Sequence, residues 1–244
     1  MFTDLFNTIL YNPILNALIG IYNVIPWHDF GLSVVIITLL IKIILYPLTA
    51  SSLKSQKALQ DLQPKMQELK EKHKGNQQAI AQETMKLYKA NNVNPLSSCL
   101  PLLVQLPILL ALYWALRDGI ATVDPARLYS FIEYPGEINP LAFGFLQLSA
   151  PSYVLAVLAG LAQYAQARML SHKKGPHVPG AKDENMMAMM NKQMLYVMPV
   201  VTVLIGASLP AALTLYWFIS TVLTWLQQIL LWKKQGKPGV SQVS

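Results

Sequence analysis

Cysteine and charge are both scarce in this chain of 244 residues, which has one cysteine and only 13% charged residues. The lone Cys99 has no partner for an intramolecular disulfide, and we interpret it as a small buried hydrophobic residue. Hydrophobic residues make up 53% of the sequence and fall in long blocks rather than in amphipathic alternation. The composition therefore predicts an all-α polytopic membrane protein, with little room for a separate soluble domain of usual size.

The sequence signatures of catalysis and metal binding are missing as well. The apolar blocks contain no pair of aspartates and no histidine accompanying a serine, and the chain has no His-Glu-x-x-His motif and no Walker-type loop. These absences argue against an intramembrane protease or an ATPase, so we predict that the protein is not an enzyme and needs no cofactor. His172 and His177 lie near each other, but no cysteine or further close histidine completes a site, and we predict no metal.

Five apolar blocks have the length and composition expected of transmembrane helices. The fourth is short and contains Pro199, which a neighbouring helix can accommodate inside a membrane. The predicted spans are residues 26–50, 95–117, 152–170, 194–209 and 210–232.

The N-terminal segment, residues 1–25, has an apolar face but is interrupted by asparagines and by Pro13. It lacks the basic start and the small-residue cleavage site of a signal peptide. We predict an amphipathic helix that lies in the interface of the outer leaflet. A sixth transmembrane span is the alternative.

Residues 51–94 change abruptly to a soluble, amphipathic pattern. Two helices are predicted, over 51–73 with a kink at Pro64 and over 77–90, joined by a turn at residues 73–76. They form a cytoplasmic helical hairpin with eight basic and four acidic residues. The hairpin is either a solvated linker or a surface for anionic headgroups or an acidic partner.

Three further polar segments complete the chain: the loop 118–151, the loop 171–193 and the basic tail 233–244. The first contains several prolines, so we expect irregular structure there, with a short interfacial helix near 141–147. The loop 171–193 begins as a flexible segment rich in glycine and proline.

The distribution of basic residues predicts the orientation in the membrane. Sixteen of the 19 Lys and Arg residues lie in 51–94, 168–193 and the tail, whereas the segments predicted on the other side hold two basic and six acidic residues. By the positive-inside rule the N-terminus is outside and the C-terminus is in the cytoplasm. Because this topology accounts for the positive charge, we predict no sequence-specific recognition of nucleic acid.

Lys42 lies inside the most apolar stretch of the chain. A charge at bilayer depth costs about 2.5–3.5 kcal/mol, so an intramembrane lysine indicates function unless its ammonium snorkels to the interface. Thr38, Tyr46 and Thr49 recur with Lys42 at helical spacing and form a polar row. We favour a functional lysine that faces the interior of the protein, with a snorkelling anchor as the alternative.

Other polar residues lie in the predicted spans, and each costs energy in contact with lipid. The second span carries a glutamine, the third carries two glutamines three residues apart, and the last carries a stripe of Thr, Trp and Gln side chains. Helix–helix hydrogen bonding is the ordinary explanation of such residues. No acidic residue lies in any span to neutralise Lys42, so we predict a hydrated groove lined by Lys42, Thr38, Gln105, Gln163, Gln166, Trp217, Ser220 and Thr221.

Several ungapped segments resemble the YidC/Oxa/Alb family of membrane protein insertases. They are Ile-Lys-Ile-Ile-Leu-Tyr-Pro-Leu-Thr at 41–49, Leu-Gln-Pro-Lys-Met-Gln-Glu-Leu-Lys-Glu-Lys at 62–72, Asn-Pro-Leu-Ser-Ser-Cys-Leu-Pro-Leu-Leu-Val-Gln-Leu-Pro at 94–107, and Met-Pro-Val-Val at 198–201 followed by Leu-Pro-Ala-Ala-Leu-Thr-Leu-Tyr-Trp-Phe-Ile-Ser at 209–220. The resemblance covers about residues 5–232 in the family's order. It implies a five-span core, a cytoplasmic hairpin, and a hydrophilic groove open to cytoplasm and lipid but closed to the outside.

This chain departs from the family pattern in a few places. The family usually has arginine where this chain has Lys42, which keeps the charge but loses the bidentate fork. The last motif commonly ends Ser-Asn, and here it ends Ser220-Thr221. The large periplasmic domain of Gram-negative members and the lipoprotein cysteine of Gram-positive members are absent, and a trimmed native N-terminus would account for the missing cysteine.

The resemblance implies a membrane protein insertase and chaperone in a bacterial cytoplasmic membrane. Its partners would be newly made membrane proteins and the lipid bilayer, with the Sec translocon, the ribosome and the signal-recognition receptor as further candidates. The alternative is a small-solute secondary transporter with Lys42 as an anion site, although we find no internal repeat of the kind such transporters usually show.

Overall fold

The computed structural model describes residues 2–73, 75–98, 100–121, 123–170 and 193–234. The predictions made for Cys99, for His172 and His177, and for most of the loop 171–193 and of the tail lie outside the described residues. Within them the protein is predominantly helical, and we number its α-helices α1 to α10 in chain order.

The chain begins with α1 (Phe2–Phe6), a π-helical turn (Asn7–Tyr11) and α2 (Asn12–Val24). One face of α2 is buried against α3 and α7. Asn16 fastens α2 to the loop after α7, because its Nδ2 donates to the Arg127 carbonyl at 2.9 Å and its Oδ1 accepts from the Tyr129 N–H at 2.6 Å.

Helix α3 (Phe30–Ile44) is capped at its N-terminus by Asp29, whose Oδ1 accepts from the Leu32 N–H at 2.8 Å, and it ends at a sharp bend. The next helix, α4 (Tyr46–Asp61), is inclined to it by 66°. Pro47 is the second residue of α4, and a proline there supplies no N–H to the preceding turn and crowds its carbonyl. The polar row predicted as one helix face is therefore divided, with Thr38 and Lys42 on α3 and Thr49 on α4.

Two shorter helices follow, α5 (Gln63–Lys72) and α6 (Gln77–Ala90), and they pack against each other. In the turn between them Gly75 has a φ of +89°, a conformation that glycine adopts readily, and the side chain of Asn76 caps α6. The Tyr88 hydroxyl lies 3.3 Å from the Met66 Sδ, and burial raises the pKa of that phenol. None of the α6 side chains is fully buried, so this pair of helices projects from the rest of the protein.

Helix α7 (Leu100–Ala121) is preceded by a short 3-10 turn (Pro95–Ser98). It is followed by the loop that leads to α8, which we call the outer loop after its predicted side of the membrane and which contains a 3-10 turn (Pro125–Arg127). The prediction of a short interfacial helix near 141–147 was wrong. Strands Leu141–Ala142 and Leu146–Gln147 form a small antiparallel hairpin instead. Its turn needs positive φ at Phe143 (+53°) and Gly144 (+77°), and the Phe143 N–H donates to the Asp29 carboxylate.

The last three helices are α8 (Tyr153–Leu170), α9 (Met198–Gly206), which follows a π-helical turn (Gln193–Val197), and α10 (Ala211–Lys234). Helix α8 packs against both α9 and α10. The approach to α9 is close because Gly160 has no side chain, and a Cβ at this position would overlap Val203. The start of α10 is tied to the outer loop, since the Ala211 N–H donates to the Ala150 carbonyl at 2.9 Å.

Three of the described helical stretches are long and apolar enough to cross a membrane, and a fourth span results if α3 and α4 are counted together. They are Thr3–Val24, Leu103–Ile120 and Ala211–Lys233, and Gln193–Gly206 is a shorter apolar stretch. The described residues are thus predominantly helical with three or four candidate spans, which is consistent with an all-α membrane protein. Thr3–Val24 is long enough to cross a membrane, so its length is compatible both with the predicted interfacial helix and with a sixth transmembrane span.

Candidate functional site

Lys42 is the third-last residue of α3, and its side chain extends toward α10. Its neighbours Ile43 and Ile44 are 69% and 73% exposed on the outer surface of the protein, whereas Lys42 is half-buried. Its Nζ donates to the Thr224 Oγ1 of α10 at 2.8 Å. Lys42 therefore faces a neighbouring helix rather than the surrounding lipid.

Thr224 is held in an orientation that suits this contact. Its hydroxyl donates to the Ser220 carbonyl one turn earlier in α10, at 2.8 Å. Since the hydroxyl hydrogen is engaged there, the oxygen lone pairs of Thr224 are free to accept from the Lys42 ammonium.

Gln105 of α7 reaches the same face of α10 from another side. Its Nε2 donates to the hydroxyl of Tyr216, and the Tyr216 hydroxyl also hydrogen-bonds the Ser220 side chain. Tyr216, Ser220 and Thr224 are spaced four residues apart and so share one face of α10. We call these three residues the polar ladder; it links α3 and α7 through α10.

The charge of Lys42 is not neutralised by a protein carboxylate among the described residues. The ion pairs that the structure gives within this part of the chain lie elsewhere, at Glu83–Lys86, Asp118–Arg117 and Asp124–Arg127. A half-buried cation with only a neutral hydrogen-bond partner attracts anions, because a carboxylate would supply the missing opposite charge. The arrangement is suited to binding a carboxylate.

A second set of hydrogen bonds joins α4, the helix that follows the bend, to α10 and α8. Thr49 and Gln227 hydrogen-bond through their side chains at 3.0–3.1 Å. The Gln60 Nε2 donates to the Met169 carbonyl at 3.2 Å, and the Trp232 Nε1 lies 3.5 Å from the Leu53 carbonyl. These contacts fix the angle of α4, and they join residues whose pairing is not evident from the sequence pattern.

The structure brings Lys42, Gln105 and Ser220 into one network but does not join the other predicted groove residues to it by hydrogen bonds. Thr38 is fully buried, and its hydroxyl donates to the Val34 carbonyl of its own helix at 2.6 Å. Thr221 is 7% exposed. The roles of these residues stay predictions.

Three further predicted residues, Gln163, Gln166 and Trp217, are half-buried. Gln163 shares a face of α8 with Ala156 and Gly160, and those two residues contact α9. This geometry directs Gln163 toward α9 rather than toward the polar ladder.

Tyr216 and Thr224 were not predicted as site residues. Thr224 did stand in the polar stripe of the last span, and the spacing of four residues between Tyr216, Ser220 and Thr224 was a usable signal. Gln228 continues that spacing; it is fully buried, and neither its Nε2 nor its Oε1 has a hydrogen-bond partner in the described structure.

Comparison with known proteins decides the family. The model of the family described as 60Kd inner membrane protein matches residues 20–237. This chain belongs to that family.

Its curated relatives in this family are named as membrane protein insertases. The YidC insertase of Fusobacterium nucleatum is 37% identical over 206 residues, covering 84% of this chain and 87% of the relative. That of Oceanobacillus iheyensis is 33% identical, covering 93% of this chain and 83% of the relative. These relatives give no support to the transporter alternative.

A solved structure of an active YidC insertase with its first transmembrane domain resolved is similar to this fold. The TM-score is 0.53 at 26% sequence identity, and the match covers 81% of this chain and 40% of the other. The structural similarity therefore extends over most of this chain.

Two cavities in the structure are not lined by Lys42. One, of about 580 Å³, is apolar and is formed by α2, α3 and the outer loop. The other, of about 410 Å³, lies between α8 and α10. The polar ladder lines neither cavity.

Proposed function

We propose that this protein is an insertase and chaperone for membrane proteins that uses no nucleotide and forms no covalent intermediate. The observation that carries the proposal is the Lys42 ammonium, held on the polar ladder of α10 with no carboxylate partner in the described structure. A site of this kind attracts acidic residues in a substrate that itself enters the membrane.

In the proposed mechanism, a short hydrophilic tail of the substrate enters a wet groove partway through the bilayer. An acidic side chain of the tail takes the place of the Thr224 hydroxyl beside Lys42, while Gln105 and Ser220 offer hydrogen bonds to the peptide. The tail then crosses a shorter apolar barrier than the full hydrocarbon core, since part of its path is hydrated.

The apolar segment of the substrate supplies the driving force. As it moves into lipid beside the groove, burial contributes about 0.8 kcal/mol for each methylene group removed from water. The protein lowers the barrier, and partitioning makes the outcome favourable.

The proposed topology has five spans, an N-terminal helix in the outer leaflet, a cytoplasmic hairpin and a cytoplasmic C-terminus. The concentration of basic residues in 51–94, 168–193 and the tail supports this orientation. The groove is open to cytoplasm and lipid. Newly made membrane proteins and the bilayer are the proposed partners, with the Sec translocon, ribosome and signal-recognition receptor as further ones.

Reconstitution of the purified protein into vesicles tests the function. We expect wild type and Lys42→Arg to insert a single-span protein with an acidic tail, and Lys42→Ala and Lys42→Glu to be slower. Loss of one charge-assisted contact corresponds to about 10- to 100-fold in rate. Lys233→Ala, which removes an exposed cation at the end of α10, is the matched control.

Insertion of the acidic-tailed substrate by Lys42→Ala at the wild-type rate would contradict the role of the charge. Uptake of a small solute without insertion activity would favour a transporter instead.

A further inference from the structure

The cavity between α8 and α10 has a composition unlike that of the candidate site. Its lining combines a cation, two aromatic rings and apolar side chains: Tyr164, Ala165, Arg168, Met169, Trp225 and Ile229. Trp225 follows Thr224 in α10 and is rotated from it by about 100° around the helix axis. The cavity of about 410 Å³ therefore lies on a different face of α10 from the polar ladder. Its volume is within the usual range of ligand sites.

One apolar face of α8 leads to this cavity. Val154, Val157 and Leu161 are 72%, 48% and 59% exposed and recur at spacings of three and four residues. Tyr164 and Arg168 continue the same face. The helix thus presents an apolar surface roughly 15 Å long that ends at an aromatic ring and a guanidinium.

Arg168 is exposed, and the ion pairs found within the described residues involve Arg117, Arg127 and Lys86 instead. Its guanidinium is therefore available for an external anion. The wall beside it is fixed, because the Trp225 Nε1 lies 3.1 Å from the Met169 Sδ. On the other side, the Tyr164 ring contacts the Tyr196 ring, with 6.2 Å between centroids and 37° between the ring planes.

We infer that this cavity binds an anionic phospholipid of the inner leaflet. The phosphodiester pairs with Arg168, and an acyl chain lies along the part of this face nearest to it, formed by Leu161 and Val157, which is within about 17 Å of Arg168 along the helix. The inference rests on the proposed topology, which places the ends of α8 and α10 at the cytoplasmic side, where anionic lipids and basic pockets between helices meet. Arginine suits this ligand because its fork matches the geometry of a phosphate.

Native mass spectrometry of the purified full chain tests the lipid site. The protein is titrated with phosphatidylglycerol or with phosphatidylcholine carrying the same acyl chains. We expect one phosphatidylglycerol to bind about 10-fold more tightly, which corresponds to 1.4 kcal/mol. Arg168→Gln should abolish this preference. Arg117→Gln is the matched control, because Arg117 is an exposed arginine paired with Asp118 at 3.0 Å, and it should keep the preference.

Equal binding of the two lipids to wild type, an undiminished preference in Arg168→Gln, or no bound lipid would each overturn the inference. So would an equal loss in Arg117→Gln, which would indicate a general effect of charge. The proposed function is tested separately: Lys42→Ala should keep the lipid preference while losing insertion of acidic-tailed substrates. Normal insertion by Lys42→Ala would count against the proposed function and leave the lipid result standing.

Discussion

The contact between Lys42 and Thr224 shows how a lysine can be kept in an apolar setting. Lysine carries three N–H donors and a strongly hydrated charge, so a single neutral acceptor compensates only part of the lost hydration. The Thr224 hydroxyl lies 2.8 Å from the Lys42 Nζ and is itself oriented by its bond to the Ser220 carbonyl. We predict that Thr224 positions the ammonium and that an arriving anion displaces its hydroxyl.

Replacing Thr224 tests this positioning role. Thr224→Val keeps the branched shape but removes the acceptor, and we expect insertion of acidic-tailed substrates to fall by about 2- to 10-fold, the range of one net hydrogen bond. Thr224→Ser, which keeps a hydroxyl, should retain the wild-type insertion activity. The measurement is the insertion rate as a function of tail charge in vesicles. An equal decrease for neutral and acidic tails would indicate a purely structural role for Thr224.

At the scale of the element, the helices of the apolar blocks follow from hydrophobic patterning, whereas the bend and the strand hairpin do not. The pattern predicts a helix on both sides of Leu45, but the angle between α3 and α4 also depends on contacts such as Thr49–Gln227, which join residues far apart in sequence. The prediction of a helix near 141–147 was wrong because the hydrogen bond from the Phe143 N–H to the Asp29 carboxylate holds a turn that the local sequence pattern does not encode.

The same limit applies to the candidate site. Lys42 was identifiable as a charge in an apolar run, and Gln105 as a polar residue in a span. Tyr216 was missed because an aromatic residue in a span is ordinarily apolar packing, and only the contact from Gln105 reveals the use of its hydroxyl. Thr38 was included because polar residues at helical spacing suggest a wet face, yet its hydroxyl bonds within its own helix.

The close packing of α8 on α9 gives a prediction about stability. A Cβ at Gly160 would overlap Val203 and lie 3.0 Å from the Pro199 carbonyl oxygen, which is backbone and cannot move aside cheaply. Gly160→Ala should destabilise the protein by about 1–3 kcal/mol, the usual range for overpacking. Thermal unfolding in detergent is the measurement.

Gly20→Ala provides the control for this effect, because the new Cβ would lie 3.1 Å from the flexible end of Ile132. An unchanged midpoint for Gly160→Ala would show that α8 and α9 are free to separate at this point.

The hairpin of α5 and α6 gives a prediction about delivery. Helix α4 is fastened to α10 and α8, whereas α6 has no buried residue and the buried Met66 of α5 contacts Tyr88 of α6, so α5 and α6 can be removed together while α4 stays in place. Replacing residues 63–90 by a short Gly-Ser linker should slow the arrival of substrate. A substrate already engaged should still crosslink to probes at Lys42 and Trp217. Normal delivery with lost crosslinks would mean that the hairpin shapes the groove itself.

For the molecule as a whole, the central question is which side of the membrane its polar interior faces. The hydrogen-bonded base formed by α4, α8 and α10 lies on the proposed cytoplasmic side, and the outer loop is anchored to α2, α3 and α10 on the other. An insertase of the proposed kind admits water from the cytoplasm and remains closed at the outer loop. An alternating-access transporter would open to both sides in turn.

Side-specific labelling of single cysteines distinguishes these two behaviours. In a Cys99→Ser background, Gln105→Cys and Trp217→Cys replace half-buried residues and should react faster with a charged thiol reagent applied from the cytoplasmic side than from outside. Thr38→Cys replaces a fully buried residue and should react slowly from both sides. Lys89→Cys on the hairpin and Glu133→Cys in the outer loop serve as the cytoplasmic and outer controls, since both positions are exposed. Rapid reaction of Gln105→Cys and Trp217→Cys from the outside would contradict a closed outer face, because a charged reagent reaches these positions only through water.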